Sequence, residues 1–107
     1  GGETASGFRD KLDRFGIDWA GTCSGDRRVL DWCHRTNRLA AIDFKSNHIC
    51  NFVRWQWREG QVMAVVLDNN HAEEYEYYPE QEFLREWRSQ GGCATSAINP
   101  ANAPSLF

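Results

Sequence analysis

A histidine works as a general base when one ring nitrogen faces a nucleophile and the other donates to a group that fixes its tautomer. His48 and the acid-amide corner Asp68-Asn69-Asn70 have the types and the spacing for that work. Between them run NHICNFVRWQW, the polar turn Arg58-Glu59-Gly60, and QVMAVVLDNN. The first part alternates. His48, Cys50, Phe52 and Arg54 fall on one face of a strand, and Ile49, Asn51, Val53 and Trp55 on the other. Val62 to Leu67 is a near-continuous apolar run, as in a strand buried on both faces. The two parts read as a β-hairpin with a loop longer than two residues. Folding at 58–60 sets position 48 roughly opposite position 70, so His48 and the Asp68–Asn70 corner are expected to be neighbours. They would supply a base and its orienter, Asp68 or Asn70. A nucleophile would have to come from a serine or cysteine on another element.

The cysteines are the next candidates. They stand at 23, 33, 50 and 93, and the three ways of pairing four cysteines are all open. Cys33 on a helix face and Cys50 in a strand read as small apolar residues. Most of the four are expected to be buried thiols, with one disulfide allowed in an oxidising compartment. Cys23 precedes a helix whose N-terminus would lower a thiol pKa. Nucleophile, turn residue and disulfide half are its three readings, the last two favoured. No CxxC pair is present, and a set of His48, Cys50, Asp68 and His71 does not have a recurring zinc spacing. No metal or cofactor is expected.

The elements that must position these residues follow from periodicity and punctuation. Ser6 can cap a helix with Phe8, Leu12 and Phe15 on one face, stopped at Gly16. Ile17 to Ala20 reads as a brief strand and Gly21 to Gly25 as a turn. Ser24 then caps a second helix from about Asp26 to Thr36, with Val29, Leu30, Cys33 and Asn37 on its inner side. Leu39 to Phe44 is a strand leading into the hairpin. Glu74 to Tyr78 alternates acid and tyrosine as an edge strand does. Pro79 fits the start of a third helix, Glu80 and Glu82 favour its N-terminus, and Phe83, Leu84 and Trp87 form its apolar face. Gly91-Gly92 ends it before a last strand, Cys93 to Ile98. Residues 99–107 read as an extended surface tail. His34 reads as a solvated helix residue. Trp55 and Trp57 read as core packing, with an aromatic platform for a ligand as the lesser alternative.

The sum is a single α+β domain over residues 1–98, an antiparallel sheet with flanking helices. A chain of 107 residues with five Trp, six Phe and three Tyr can build such a core. A net charge of −3 with arginines scattered among acids argues against a nucleic-acid partner. No apolar stretch is long enough to span a membrane. The chain opens on Gly1 rather than Met. Gly1 is therefore expected to be a processed or cut end, with any targeting segment lying upstream.

Taken together, SGDRRVLDWCHRTNRLAAIDF, NHICNFV, AVVLDNN and YEYYPEQEFLREWRSQGGCAT resemble the C-terminal part of C39-like, papain-fold cysteine peptidase domains. The resemblance covers roughly Ser24 to Thr95. It lies in the order and spacing of an H-x-x-N-x-V strand, an LDNN corner, an E-F-x-x-x-W helix and a G-G-x-A strand. It implies the β-rich lobe of a papain-like peptidase, with His48 as general base and Asp68 as orienter, Asn70 or Asn69 substituting. In that family the nucleophilic cysteine opens a helix well upstream, after a glutamine of the oxyanion hole. Both are expected outside residues 1–107. The implied function is a cysteine peptidase lobe; the alternative is a non-catalytic binding or assembly subunit that keeps the fold. The partner on either reading is a peptide or protein, including the missing cysteine-bearing lobe or another subunit.

Overall fold

The computed structural model describes residues 4–46 and 48–98. The opening glycines, Asn47 and the expected tail 99–107 lie outside the described residues. Ten elements follow one another: α1 (Ala5–Arg14), β1 (Trp19–Cys23), α2 (Arg28–Arg35), β2 (Ala40–Phe44), β3 (His48–Arg58), β4 (Gln61–Asp68), a 3-10 turn (Asn69–His71), β5 (Tyr75–Pro79), α3 (Glu80–Ser89) and β6 (Cys93–Ala97). The strands form one six-stranded sheet in the order β1-β6-β2-β3-β4-β5, every pair antiparallel. This is the α+β class that the pattern predicts.

The apolar stripes of α2 and α3 pack on one face of the sheet. Val29, Leu30, Trp32 and Cys33 from α2 and Phe83, Leu84 and Trp87 from α3 meet Ile42, Phe44, Cys50, Phe52, Ala64, Val66 and Ala94 from the strands. Phe83 sits among aromatic rings, its centroid 5.2 Å from Phe44, 5.8 Å from Phe52 and 5.8 Å from Trp55. Trp87 Nε1 donates to the Cys93 carbonyl at 2.8 Å, tying α3 to the start of β6 while its ring stays fully buried. Met63 to Val66 are buried as the apolar run predicts, because β4 has a strand on either side.

The hairpin differs from the sequence reading in one structural device. Arg58 pairs with Gln61, so the loop is the two residues Glu59 and Gly60, with φ of 54° and 81°. Positive φ at both central residues is the tight turn whose twist matches paired strands, and glycine takes its second position without a Cβ clash. The residue expected in a longer loop is instead absorbed by a bulge: Phe52 faces Val66 but Arg54 faces Val65, leaving Val53 unpaired. The bulge exchanges the two faces beyond Phe52. Trp55 therefore joins the core face, 4.9 Å from Phe52 by ring centroids, while Arg54 turns to the other side and lies over Tyr75. Trp57 shares the Trp55 face but is 71% exposed, so it is not core.

Other differences are local. Thr4, not Ser6, caps α1 by accepting the Gly7 amide, and Phe15 is exposed. Gly21 to Cys23 belong to β1 rather than to a turn, because β6 offers a partner strand that sequence neighbours do not reveal. The α2 start is held by Asp26, whose carboxylate accepts the Arg28 amide; Ser24 accepts the amide of Asp26 one step earlier. Asn37 is exposed, past the end of α2. His34 is an exposed helix residue, as read, and it also has a partner. Its Nδ1 accepts the Trp55 amide at 3.2 Å, beyond the last residue that β2 pairs.

Candidate functional site

The site lies where the ends of β2, β3 and β4 meet. Three opposed pairs stack its residues on the helix-bearing face: Phe44 with His48, Ile42 with Cys50, and Cys50 with Asp68. Side chains of directly opposed residues lie side by side in an antiparallel pair. His48 at the first position of β3 and Asp68 at the last of β4 are thus diagonal neighbours. His48 Nε2 lies 2.7 Å from Asp68 Oδ1.

Asp68 is buried, with 6% of its side chain exposed, and His48 keeps 25%. The corner is therefore not the open acid-amide patch that its composition suggests. Asp68 lies beneath it, and Asn69, Asn70 and His71 form the exposed rim. Asp68 caps the 3-10 turn by accepting the Asn70 amide on Oδ1 at 2.9 Å. Asn70 thus meets the site through its backbone amide. The side chain of Asn69 is turned to Asn51, whose Nδ2 donates to it at 3.0 Å.

The second carboxylate oxygen has its own partner. Lys45 Nζ donates to Asp68 Oδ2 at 3.1 Å and to Glu76 Oε1 at 2.6 Å, and Tyr78 OH donates to the same Glu76 oxygen. A chain of charge-assisted bonds thus runs from His48 through Asp68, Lys45 and Glu76 to Tyr78. The hydrogen bond from His48, with those from Asn70 and Lys45, outweighs burial and holds the Asp68 carboxyl well below the usual carboxylate range. Burial works against the Lys45 charge, but its bonds to Glu76 and Asp68 prevail and raise its pKa. Burial and the bond to Glu76 push Tyr78 up to about 12. An ionised Asp68 can only accept, so Nε2 is the nitrogen that donates to it. Among the described residues Nδ1 makes no hydrogen bond.

The four cysteines are accounted for. Cys23 and Cys93 face each other across β1 and β6 and form a disulfide. The strand position of Cys23 removes the helix-start environment that would make it reactive. Cys33 and Cys50 are free and fully buried, and burial pushes each thiol up to about 11. For Cys50 the neighbouring Asp68 charge adds to that rise. His48, Cys50 and Asp68 present ligand atoms within 4.8 Å of one another. His71, the fourth residue of the set weighed from the sequence, is on the exposed rim and outside that cluster. Lys45 sits on the free oxygen of Asp68, and Cys50 is held as a thiol where a metal needs thiolate. The donor set fits an ion pair better than a cation site.

An open cavity of about 410 Å³ adjoins the ion-pair chain. Phe44, Lys45 and Tyr78 line one side of it, and Glu82, Arg85 and Glu86 of α3 the other. Lys45, Glu76 and Tyr78 are the site residues that sequence reasoning missed. The alternation of β5 puts Glu76 and Tyr78 on one face, which is a usable signal. Nothing in the sequence ties Lys45 to Asp68, because that contact depends on the path of the β2–β3 turn.

No protein-family model matches this chain, and no curated protein or solved structure matches it. Among the described residues no helix is long and apolar enough to cross a membrane.

Proposed function

We propose that this chain is the histidine-bearing lobe of a C39-like, papain-fold cysteine peptidase. His48 is its general base, Asp68 the orienter, and the nucleophilic cysteine comes from another segment or chain. What supports this reading above all is the 2.7 Å contact of His48 Nε2 with a buried, ionised Asp68, which leaves Nδ1 as the proton acceptor. In the reaction Nδ1 takes the thiol proton, and the thiolate attacks the peptide carbonyl carbon. As the C–N bond breaks, the imidazolium returns that proton to the departing amine. Asp68 stabilises the imidazolium and prevents the ring from turning. Water, deprotonated by the same histidine, then releases the acyl group from sulfur. The cavity beside Lys45 is the recess available to a side chain of the bound peptide.

The state of the four cysteines bears on the same reading. Two are joined and two are buried thiols pushed up to about 11, so none of them is a nucleophile for His48. That observation also favours a second reading, a binding or assembly subunit that keeps the fold and presents its His48 surface to a protein or peptide partner. Peptide hydrolysis by the native polypeptide that contains these residues separates the two. The peptidase reading expects turnover that falls about 10²–10⁴-fold in His48→Ala, the usual contribution of a general base. Asp68→Ala should lower it as well. Turnover indifferent to His48→Ala contradicts the reading, and no turnover with retained peptide binding transfers the assignment to the binding subunit.

A further inference from the structure

We propose that Lys45 is a positioning residue, which fixes the Asp68 carboxylate so that Oδ1 stays on His48 Nε2. This inference rests on the reading of His48 and Asp68 as base and orienter. The torsion that turns an aspartate carboxylate is broad and soft, so one hydrogen bond does not set its plane. Here the plane is set from both ends. Oδ1 receives His48 Nε2 at 2.7 Å and the Asn70 amide at 2.9 Å, and Oδ2 receives Lys45 Nζ at 3.1 Å. Rotation of the carboxylate breaks all three bonds together.

A lysine is a flexible tether unless it is itself held. Glu76 Oε1 holds Nζ at 2.6 Å, and Tyr78 OH holds that same oxygen. The backbone contributes too. Lys45 has a φ of 55° and Ser46 a φ of 44°, the left-handed region that non-glycine residues avoid. Positive φ at successive residues is turn geometry, as at Glu59 and Gly60. Here it accompanies a turn from which the lysine reaches the carboxylate. A lysine serving only as surface charge would need neither the buried acceptor nor the second anchor, and its side chain is only 35% exposed.

The test reads the His48 Nε2 proton directly by NMR, as its exchange rate with solvent. In the wild-type chain that proton should be observable and protected. Lys45→Met should speed its exchange about ten-fold or more, as expected for weakening one charge-assisted bond, while backbone amides of β3 and β4 keep their rates. Lys45→Arg, which retains the cation, should keep the protection. Unchanged exchange in Lys45→Met overturns the inference. If that variant also loosens the strands, Lys45→Arg and Glu76→Gln carry the test. Protection kept in the first and lowered in the second supports the inference, and protection kept in both overturns it. Asp68→Asn is the control for the underlying reading. If the Nε2 proton is indifferent to Asp68→Asn, the base–orienter pair fails and Lys45 with it; if it responds to Asp68→Asn but not to Lys45→Met, only Lys45 fails.

Discussion

His48 Nε2 and Asp68 Oδ1 are 2.7 Å apart, although twenty residues of chain separate them. The pairing of Cys50 with Asp68 brings them together. The bulge at Val53 lies on the turn side of that pair, so one extra residue is absorbed without moving the histidine off the carboxylate's face.

The pairing makes stability depend on acid. Asp68 is held below the ordinary carboxyl range, foremost by the His48 bond. A group with a depressed folded pKa binds fewer protons folded than unfolded. Its stabilisation is therefore fully present above the unfolded value of about 4 and is lost as pH falls through the folded value. The urea midpoint should drop on acidification below about pH 4. Asp68→Asn should start lower at neutral pH and fall less steeply. Parallel acid profiles for the two proteins would show that Asp68 carries none of the dependence.

The register at the open end of the hairpin and the approach of His48 to the Asp68 corner were legible in the sequence. Both follow from a period of two and a polar turn. Lys45 was not legible, since a turn lysine has many solvated positions and one structured one. The bulge was not legible either. Val53 fits a regular strand as well as a bulge, so Trp55 was placed on the wrong face and Trp57 in the core. Cys23 was read as part of a turn because Gly21 and Gly25 flank a short run, and only its pairing with β6 makes that run a strand. An acid-amide run is an ordinary turn former, so the burial of Asp68 is not announced by its neighbours. Its two oxygens are held by His48 and Lys45, which no local pattern announces.

The free thiols should be silent in the folded protein. With Cys33 and Cys50 pushed up to about 11 and fully buried, an exchange reagent at pH 8 should react with neither until denaturant is added, and then with two. Prompt reaction of Cys50 in the native state would reopen it as a nucleophile.

The Cys23–Cys93 disulfide closes a loop with a sequence separation of 70. Chain-entropy arguments assign such a cross-link about 4 kcal/mol of stabilisation. Reduction, or Cys23→Ala with Cys93→Ala, should lower the unfolding free energy by up to that amount while the His48–Asp68 contact, on β3 and β4 with β2 between them and the disulfide, remains. A loss below about 1 kcal/mol would mean that the reduced chain stays constrained without it.

Trp87 joins α3 to the sheet by its ring and to β6 by its Nε1. Trp87→Ala should cost about 3–5 kcal/mol, the usual penalty for removing a fully buried large aromatic residue. A urea titration showing less than about 1 kcal/mol would mean that the helix repacks over the gap.

Covalent labelling tests the central claim most directly. The native polypeptide is treated with an electrophilic peptidyl probe for cysteine peptidases, and adducts are mapped by mass spectrometry in wild type and His48→Ala. The account predicts an adduct on a cysteine outside residues 1–107, with formation lost in His48→Ala, and no selective adduct on residues 1–107 alone. Rapid labelling of Cys23, Cys33, Cys50 or Cys93 that depends on His48 would contradict it and make this chain a self-contained enzyme.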